Sequence, residues 1–133
     1  MPTIERLTPV LTYEDISGAH DFLVEVFGLS SRGVERDGEG NAVHAGVCAG
    51  DFAIWLHRIA PEHNMLAART LPGASGGLYV HVDDVDAHYE LVRARGVEID
   101  SELRDQPYGS REYGAKDLEG HRWWFASASK SRD

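Results

Sequence analysis

The sequence predicts an α+β fold of two tandem βαβββ modules, with curved sheets around a cavity and the helices outside. Three observations predict it. The order strand, helix, strand, strand, strand runs twice along the chain. The two helix openings resemble each other, because residues 14–20 (EDISGAH) match residues 83–88 (DDVDAH) with one residue inserted. From Gly28 to Trp55 is 27 residues, and from Gly96 to Trp123 is also 27. A unit that recurs this way buries its apolar face against its copy, so the 133 residues form one domain. The first module is placed at residues 4–59, a linker at 60–76 and the second module at 77–127.

Residues 8–13 (TPVLTY) read as the first strand. Asp15 or Ser17 can cap the helix that follows, which places Ala19, Phe22, Leu23, Val26 and Phe27 on one face and stops at Gly28. Residues 35–41 (ERDGEGN) form a turn between two strands. AVHAGVCA and FAIWLHRI are the strands on either side of a second turn at Gly50-Asp51. The segment 60–77 holds Pro61, Pro72 and GASGG and reads as a linker, with a short helix around residues 62–70. The pattern then restarts. GLYVHV is a strand, and Asp83 or Asp84 caps a helix with Val85, Tyr89 and Val92 on one face and Gly96 as its end. VEIDSEL is a strand. SREYGAKD and HRWWFA flank the turn DLEG as a hairpin, and the tail SASKSRD is polar and frayed.

Composition narrows the function. Hydrophobic residues make up 42% of the chain, enough for a core, and the formal charge is −9 from 13 basic and 22 acidic residues. That balance argues against nucleic acid and anionic membranes, which reward positive patches, and is compatible with a cationic ligand or with simple solubility. Cys48 is the single cysteine, so an internal disulfide and a cysteine zinc site are both excluded; its apolar surroundings suggest a small buried residue. The first ten residues lack the pattern of a signal peptide, and the expected location is the cytoplasm.

The segment 107–125 (PYGSREYGAKDLEGHRWWF) resembles the glyoxalase/bleomycin-resistance/dioxygenase superfamily, also called the vicinal-oxygen-chelate proteins. It is similar to that family's aromatic-Gly-x-Arg, strand, Asp-Pro-Asp-Gly-His and aromatic strand, with Leu118 where the family usually has Pro. VDDVDAHYELVRARGVEI is also typical of it, and the resemblance covers residues 4–127. In the family's enzymes four inward-facing strand positions hold a divalent metal. The resemblance carries these onto Thr8, Trp55, Gly77 and Trp124, none of them a ligand of the kind the enzymes use. It therefore implies the metal-free, bleomycin-resistance-like branch, with no cofactor and no catalytic residue. It also implies a homodimer whose cavities combine the first half of one chain with the second half of the other.

Strand parity then sorts the side chains. Trp123 and Phe125 face the helix as core, and Trp124 faces the cavity with Trp55 as its counterpart. Tyr79 shares that inner face. Large rings stack flat or cationic ligands, although they also fill solid cores. His57, His81 and Glu112 fall on the inner faces too. They are either ligand-binding residues or, in the alternative reading, an atypical metal site of a lyase, isomerase or dioxygenase; histidines that only hydrogen-bond at strand ends are the plainer option. Of the other histidines, His20 and His88 sit on helices and His121 has a structural place after the turn. Arg111 falls on the opposite face from Glu112, as an ion-pair partner for Asp105 or Glu119. The leading expectation is non-catalytic binding of a small aromatic or cationic molecule, such as an antibiotic, with no nucleic-acid or membrane partner.

Overall fold

The computed structural model describes residues 1–129. The first module contains β1 (Val10–Tyr13), α1 (Ile16–Glu25), β2 (Ser30–Arg36), β3 (Ala42–Ala49) and β4 (Phe52–Arg58). The second contains β5 (Gly77–His81), α2 (Val85–Ala94), β6 (Ile99–Asp105), β7 (Ser110–Lys116) and β8 (Arg122–Ala128). The sheets run β1-β4-β3-β2 and β5-β8-β7-β6, so each module has the same topology. β1 lies parallel to β4 and β5 parallel to β8, while the remaining pairs are antiparallel.

The helix caps choose between the sequence candidates. Asp15, not Ser17, accepts the Gly18 N–H at 3.0 Å, and Asp84, not Asp83, accepts the Ala87 N–H at 3.1 Å. Gly28 and Gly96 follow the helices at φ 85° and 74°, a backbone state that disfavours side chains.

Three boundaries differ from the sequence reading. The first strand begins at Val10 instead of Thr8, since Pro9 has no N–H for the ladder; its carbonyl still accepts the Trp55 N–H at 3.0 Å. The short helix expected around residues 62–70 is two 3-10 turns, Pro61–His63 and Ala68–Thr70. Asn64 enters the left-handed region at φ 64° between them, and an Ala60–Met65 bridge closes the first turn on itself. In the tail, Ser127 and Ala128 belong to β8, and the Ser129 hydroxyl donates to Asp105 Oδ1 at 2.8 Å. Residues 130–133, the rest of the segment expected to fray, lie outside the described residues.

One core serves both modules. Leu23, Val47 and Leu56 of the first are fully buried, as are Val85, Val92, Trp123 and Phe125 of the second. Each such side chain contributes on the order of 1.5–3 kcal/mol of apolar burial. Phe27, just past α1, joins the halves, with its ring 5.6 Å from Trp123 and 4.9 Å from Phe125. His88 on α2 bonds the Phe27 carbonyl through Nε2 at 2.7 Å and the Tyr113 hydroxyl through Nδ1 at 2.6 Å.

The turn between β7 and β8 makes the second connection. Asp117 Oδ1 accepts the N–H groups of Glu119 and His121, which shapes the turn. Asp117 Oδ2 accepts the Tyr13 hydroxyl from the first module and the Trp123 indole N–H at 3.1 Å. Glu119 accepts the N–H groups of Glu14 and Asp15 at 2.6 and 2.9 Å, where α1 begins. His121 Nε2 donates to the Thr12 carbonyl at 2.7 Å. Every polar side chain of this turn therefore reaches into the other module.

The strand registers agree with the parity reading that makes Trp124 the counterpart of Trp55. Gly46 pairs with Trp55 and Gly114 with Trp124, so the structural counterpart of Trp55 is Trp124, although equal spacing pointed to Trp123. The longer β7–β8 turn supplies the extra residue: Ala49 pairs with Phe52 across a tight turn, whereas Lys116 pairs with Arg122. Among the described residues no helix is long and apolar enough to cross a membrane.

Candidate functional site

Residues paired across a β ladder share a sheet face. On the first sheet, Val10, Trp55 and Gly46 form one row on the face away from α1, and Thr12, His57 and His44 form the next. On the second sheet the matching rows are Tyr79, Trp124 and Gly114, then His81, Ala126 and Glu112. The opposite faces hold the core. The parity reading of the sequence is what the ladders display: Trp123 is fully buried and Trp124 stands on the open face. Trp55 is 44% exposed and Tyr79 42%, so neither is consumed by packing within its own chain.

Gly77 makes room for the Trp124 ring. A Cβ on Gly77 would lie 2.5 Å from the Arg122 carbonyl oxygen and 2.6 Å from Cζ3 of Trp124, so the indole rests against bare backbone. The Arg122 guanidinium sits 4.5 Å from the Trp124 ring centroid and pairs with Asp100 at 2.9 Å. Gly114 leaves the space that this Arg122–Asp100 pair crosses. Trp55 meets His44 edge to face at 5.7 Å.

Glu112 is the buried acid of the second face, 7% exposed. Its Oε1 accepts the Tyr79 hydroxyl at 2.8 Å and the Tyr108 hydroxyl at 2.6 Å, and Ser110 bonds Tyr79 at 2.7 Å. Burial first, and then the neighbouring carboxylate, hold the Tyr79 hydroxyl above its ordinary pKa. The hydrogen bond to Glu112 is the main reason Tyr108 is pushed up to about 12. Both phenols therefore stay protonated and donate toward the acid. The His81 ring packs against Tyr79 at 5.2 Å.

The structure thus brings Tyr79, His81 and Glu112 together, with Trp124 in the adjoining row. It does not bring His57 to them. That residue lies on the other sheet, its Nδ1 2.7 Å from the Arg58 carbonyl. Tyr108 and Ser110 were not singled out from sequence, because Tyr108 lies in a turn where strand parity says nothing. The signal available was the Tyr-x-x-x-Glu spacing across a bend that leads back into a strand. Arg111 turns to Asp86 at 2.9 Å and Asp105 at 3.6 Å, while Glu119 serves the α1 start instead. Cys48 is buried, with an Arg32 nitrogen 3.6 Å from its sulfur. His20 bonds Asp21 and Ser31, so it also has a structural place.

The family's metal positions do not fit a metal here. Thr8 precedes β1, Gly77 has no side chain and no space for one, and the two tryptophans offer only N–H groups. Among the described residues no three of His, Cys, Asp and Glu gather in a metal-binding group. A groove of about 870 Å³ also runs between the modules along the free edge of β5, lined by Leu7, Phe27, Phe52, Ile54 and Val80 among others.

A family model described as "Glyoxalase/Bleomycin resistance protein/Dioxygenase superfamily" matches residues 4–125. The chain belongs to this superfamily. It is 28% identical over 120 residues to an uncharacterized protein of Mycobacterium bovis, covering 88% of this chain and 79% of that one. Among solved structures it is similar to TioX from Micromonospora sp. ML1, with 31% identity, 94% and 99% of the two chains covered and a TM-score of 0.73. It is also similar to a bleomycin-binding protein from the bleomycin-producing Streptomyces verticillus, solved with copper(II)-bleomycin. That match has 26% identity, covers 98% and 100% of the chains and has a TM-score of 0.64.

Proposed function

We propose that this superfamily member binds a small aromatic or cationic molecule without transforming it, sequestering an antibiotic-like compound in the cytoplasm. The observation that carries the reading is the pair of open sheet faces, each presenting a tryptophan beside a glycine and each left uncovered by its own chain. Two such faces stack a flat ring between them when they close on one ligand. In a homodimer the Trp55 face of one protomer would meet the Trp124 face of its partner, completing a cavity that the single chain leaves in halves. The similarity to a protein solved with copper(II)-bleomycin supports this reading, as does the net charge of −9 for a cationic ligand.

The test is a tryptophan-fluorescence titration with copper(II)-bleomycin and a panel of neutral and cationic aromatic compounds. Trp124→Ala should weaken the best binder by about 1–3 kcal/mol while the melting temperature holds. Unchanged affinity in a folded variant sinks the aromatic-wall idea. Sedimentation equilibrium addresses the dimer, and a monomer at working concentration would remove the shared cavity. Elemental analysis of untagged protein separates the rival enzyme reading: stoichiometric divalent metal would direct attention to His57, His81 and Glu112.

A further inference from the structure

We propose that Glu112, with Tyr79 and Tyr108 around it, is a subsite for an organic ammonium group. The inference rests on the binding reading and names the ligand chemistry of its second face.

Glu112 is a nearly buried carboxylate with no cation beside it among the described residues. Among the described residues no Lys or Arg comes within ion-pair distance, although Arg104 stands across the β6–β7 ladder from it. Its Oε1 is occupied by two phenol hydroxyls, while Oε2 has no hydrogen-bond partner among the described residues and is not sealed from solvent, so an incoming donor can reach it. A partly desolvated carboxylate of this kind gains when a cation pairs with it. The phenols hydrogen-bond it but bring no positive charge.

The donor set selects the partner. A metal ion needs several lone pairs, and here the tyrosines point protons, not lone pairs, at the acid. A guanidinium prefers to bridge both carboxylate oxygens, but Oε1 already holds two hydrogen bonds. An alkylammonium needs one free oxygen and polarisable ring surface. Oε2 supplies the first. The Tyr79 and Tyr108 rings, 42% and 66% exposed, supply the second, with His81 alongside. Trp124 lies one row away on the same face, so a ligand carrying a ring and an amine one short linker apart would engage both.

The test is a protein-observed NMR titration of the full chain with benzylammonium and, as the neutral comparison, benzyl alcohol. With wild type the cation should shift the Tyr79 and His81 signals saturably. Glu112→Gln keeps an oxygen acceptor for the phenols, and there the cation should bind about tenfold or more weakly while benzyl alcohol is unaffected. Tyr108→Phe should retain the cation, because it keeps the ring and removes only a competing donor, whereas Tyr108→Ala should weaken it. Equal affinity for the cation in Glu112→Gln overturns the subsite, as does an equal loss in Tyr108→Phe and Tyr108→Ala. A wild-type protein that shows no shift at Tyr79 or His81 overturns it too. If neutral aromatics still bind in a Trp124-dependent way, such a failure leaves the broader binding reading standing. If no compound of the fluorescence panel binds at all, the broader reading fails independently.

Discussion

The two modules share a plan and differ in what they attach to it. In both, a tryptophan on the open face sits opposite a glycine on the neighbouring strand, Trp55 with Gly46 and Trp124 with Gly114. Around that step the first face has Val10, His44 and His57, whereas the second has Tyr79, Glu112 and Ala126 in the matching places. The hairpin turns differ as well. Gly50-Asp51 only reverses the chain, while the Asp117–His121 turn binds the other module at Tyr13, Glu14, Asp15 and Thr12. The repeated scaffold thus carries the tryptophan–glycine pair twice, and the buried acid and the intermodule clamp in one copy only.

The strongest way to break this asymmetry is Asp117→Ala. It would strand the Tyr13 hydroxyl and the Trp123 indole N–H inside the core and remove the Oδ1 acceptor of the two N–H groups that shape the turn. A loss of about 3 kcal/mol or more is expected, read as a lower denaturant midpoint. The equivalent change in the first hairpin, Asp51→Ala, should cost well under about 1 kcal/mol. If the two cost the same, the clamp is not what the contacts imply.

Gly77→Ala should come next. Its Cβ collides with backbone at Arg122 as well as with the Trp124 ring, so β5 must shift, at a cost of about 1–3 kcal/mol and with an altered Trp124 emission. Gly114→Ala meets the ends of the Arg122 and Asp100 side chains, which can swing away, and Ser101 Cβ at 3.2 Å, which must give by a few tenths of an ångström, so it should cost less than Gly77→Ala, about 1 kcal/mol. Reversal of that order would mean that the Arg122–Asp100 pair, not the β5 backbone, fixes the indole.

A pH series sharpens the contrast between the modules' junctions. Burial lowers the His88 pKa below its usual 6.5, against the opposing effect of the Phe27 carbonyl. The unfolded chain then takes up a proton that folded His88 resists, so its contribution is full above about pH 6.5 and falls as the pH drops toward the lowered value. Thermal melts from pH 7.5 to 5 should show a loss in wild type that is smaller in His88→Gln. An identical slope in both proteins would show that His88 does not report on the junction.

Much of this was legible in the residues. The doubled strand-helix pattern, the capping aspartates and the alternation of Trp123 with Trp124 follow from period and turn chemistry, which are local properties. Glu112, Tyr79 and His81 could be assigned to one face for the same reason. What remained hidden depends on tertiary distance. Asp117, Glu119 and His121 read as ordinary turn residues, and nothing local shows that their partners lie about a hundred positions earlier. Tyr108 lies in a bend, where parity has no meaning, so its hydrogen bond to Glu112 emerges only when β7 is folded back against the turn before it. The equal 27-residue spacing falls on Trp123, one position before the counterpart of Trp55 that parity gave, because hairpin length, unlike strand period, is free to vary.

The clamp also bears on how the chain is made. α1 is synthesised before the β7–β8 hairpin, yet two N–H groups at its start find their acceptors on Glu119, 104 and 105 residues later. Tyr13 waits similarly for Asp117. These contacts of the first module therefore cannot form until the β7–β8 hairpin has been synthesised.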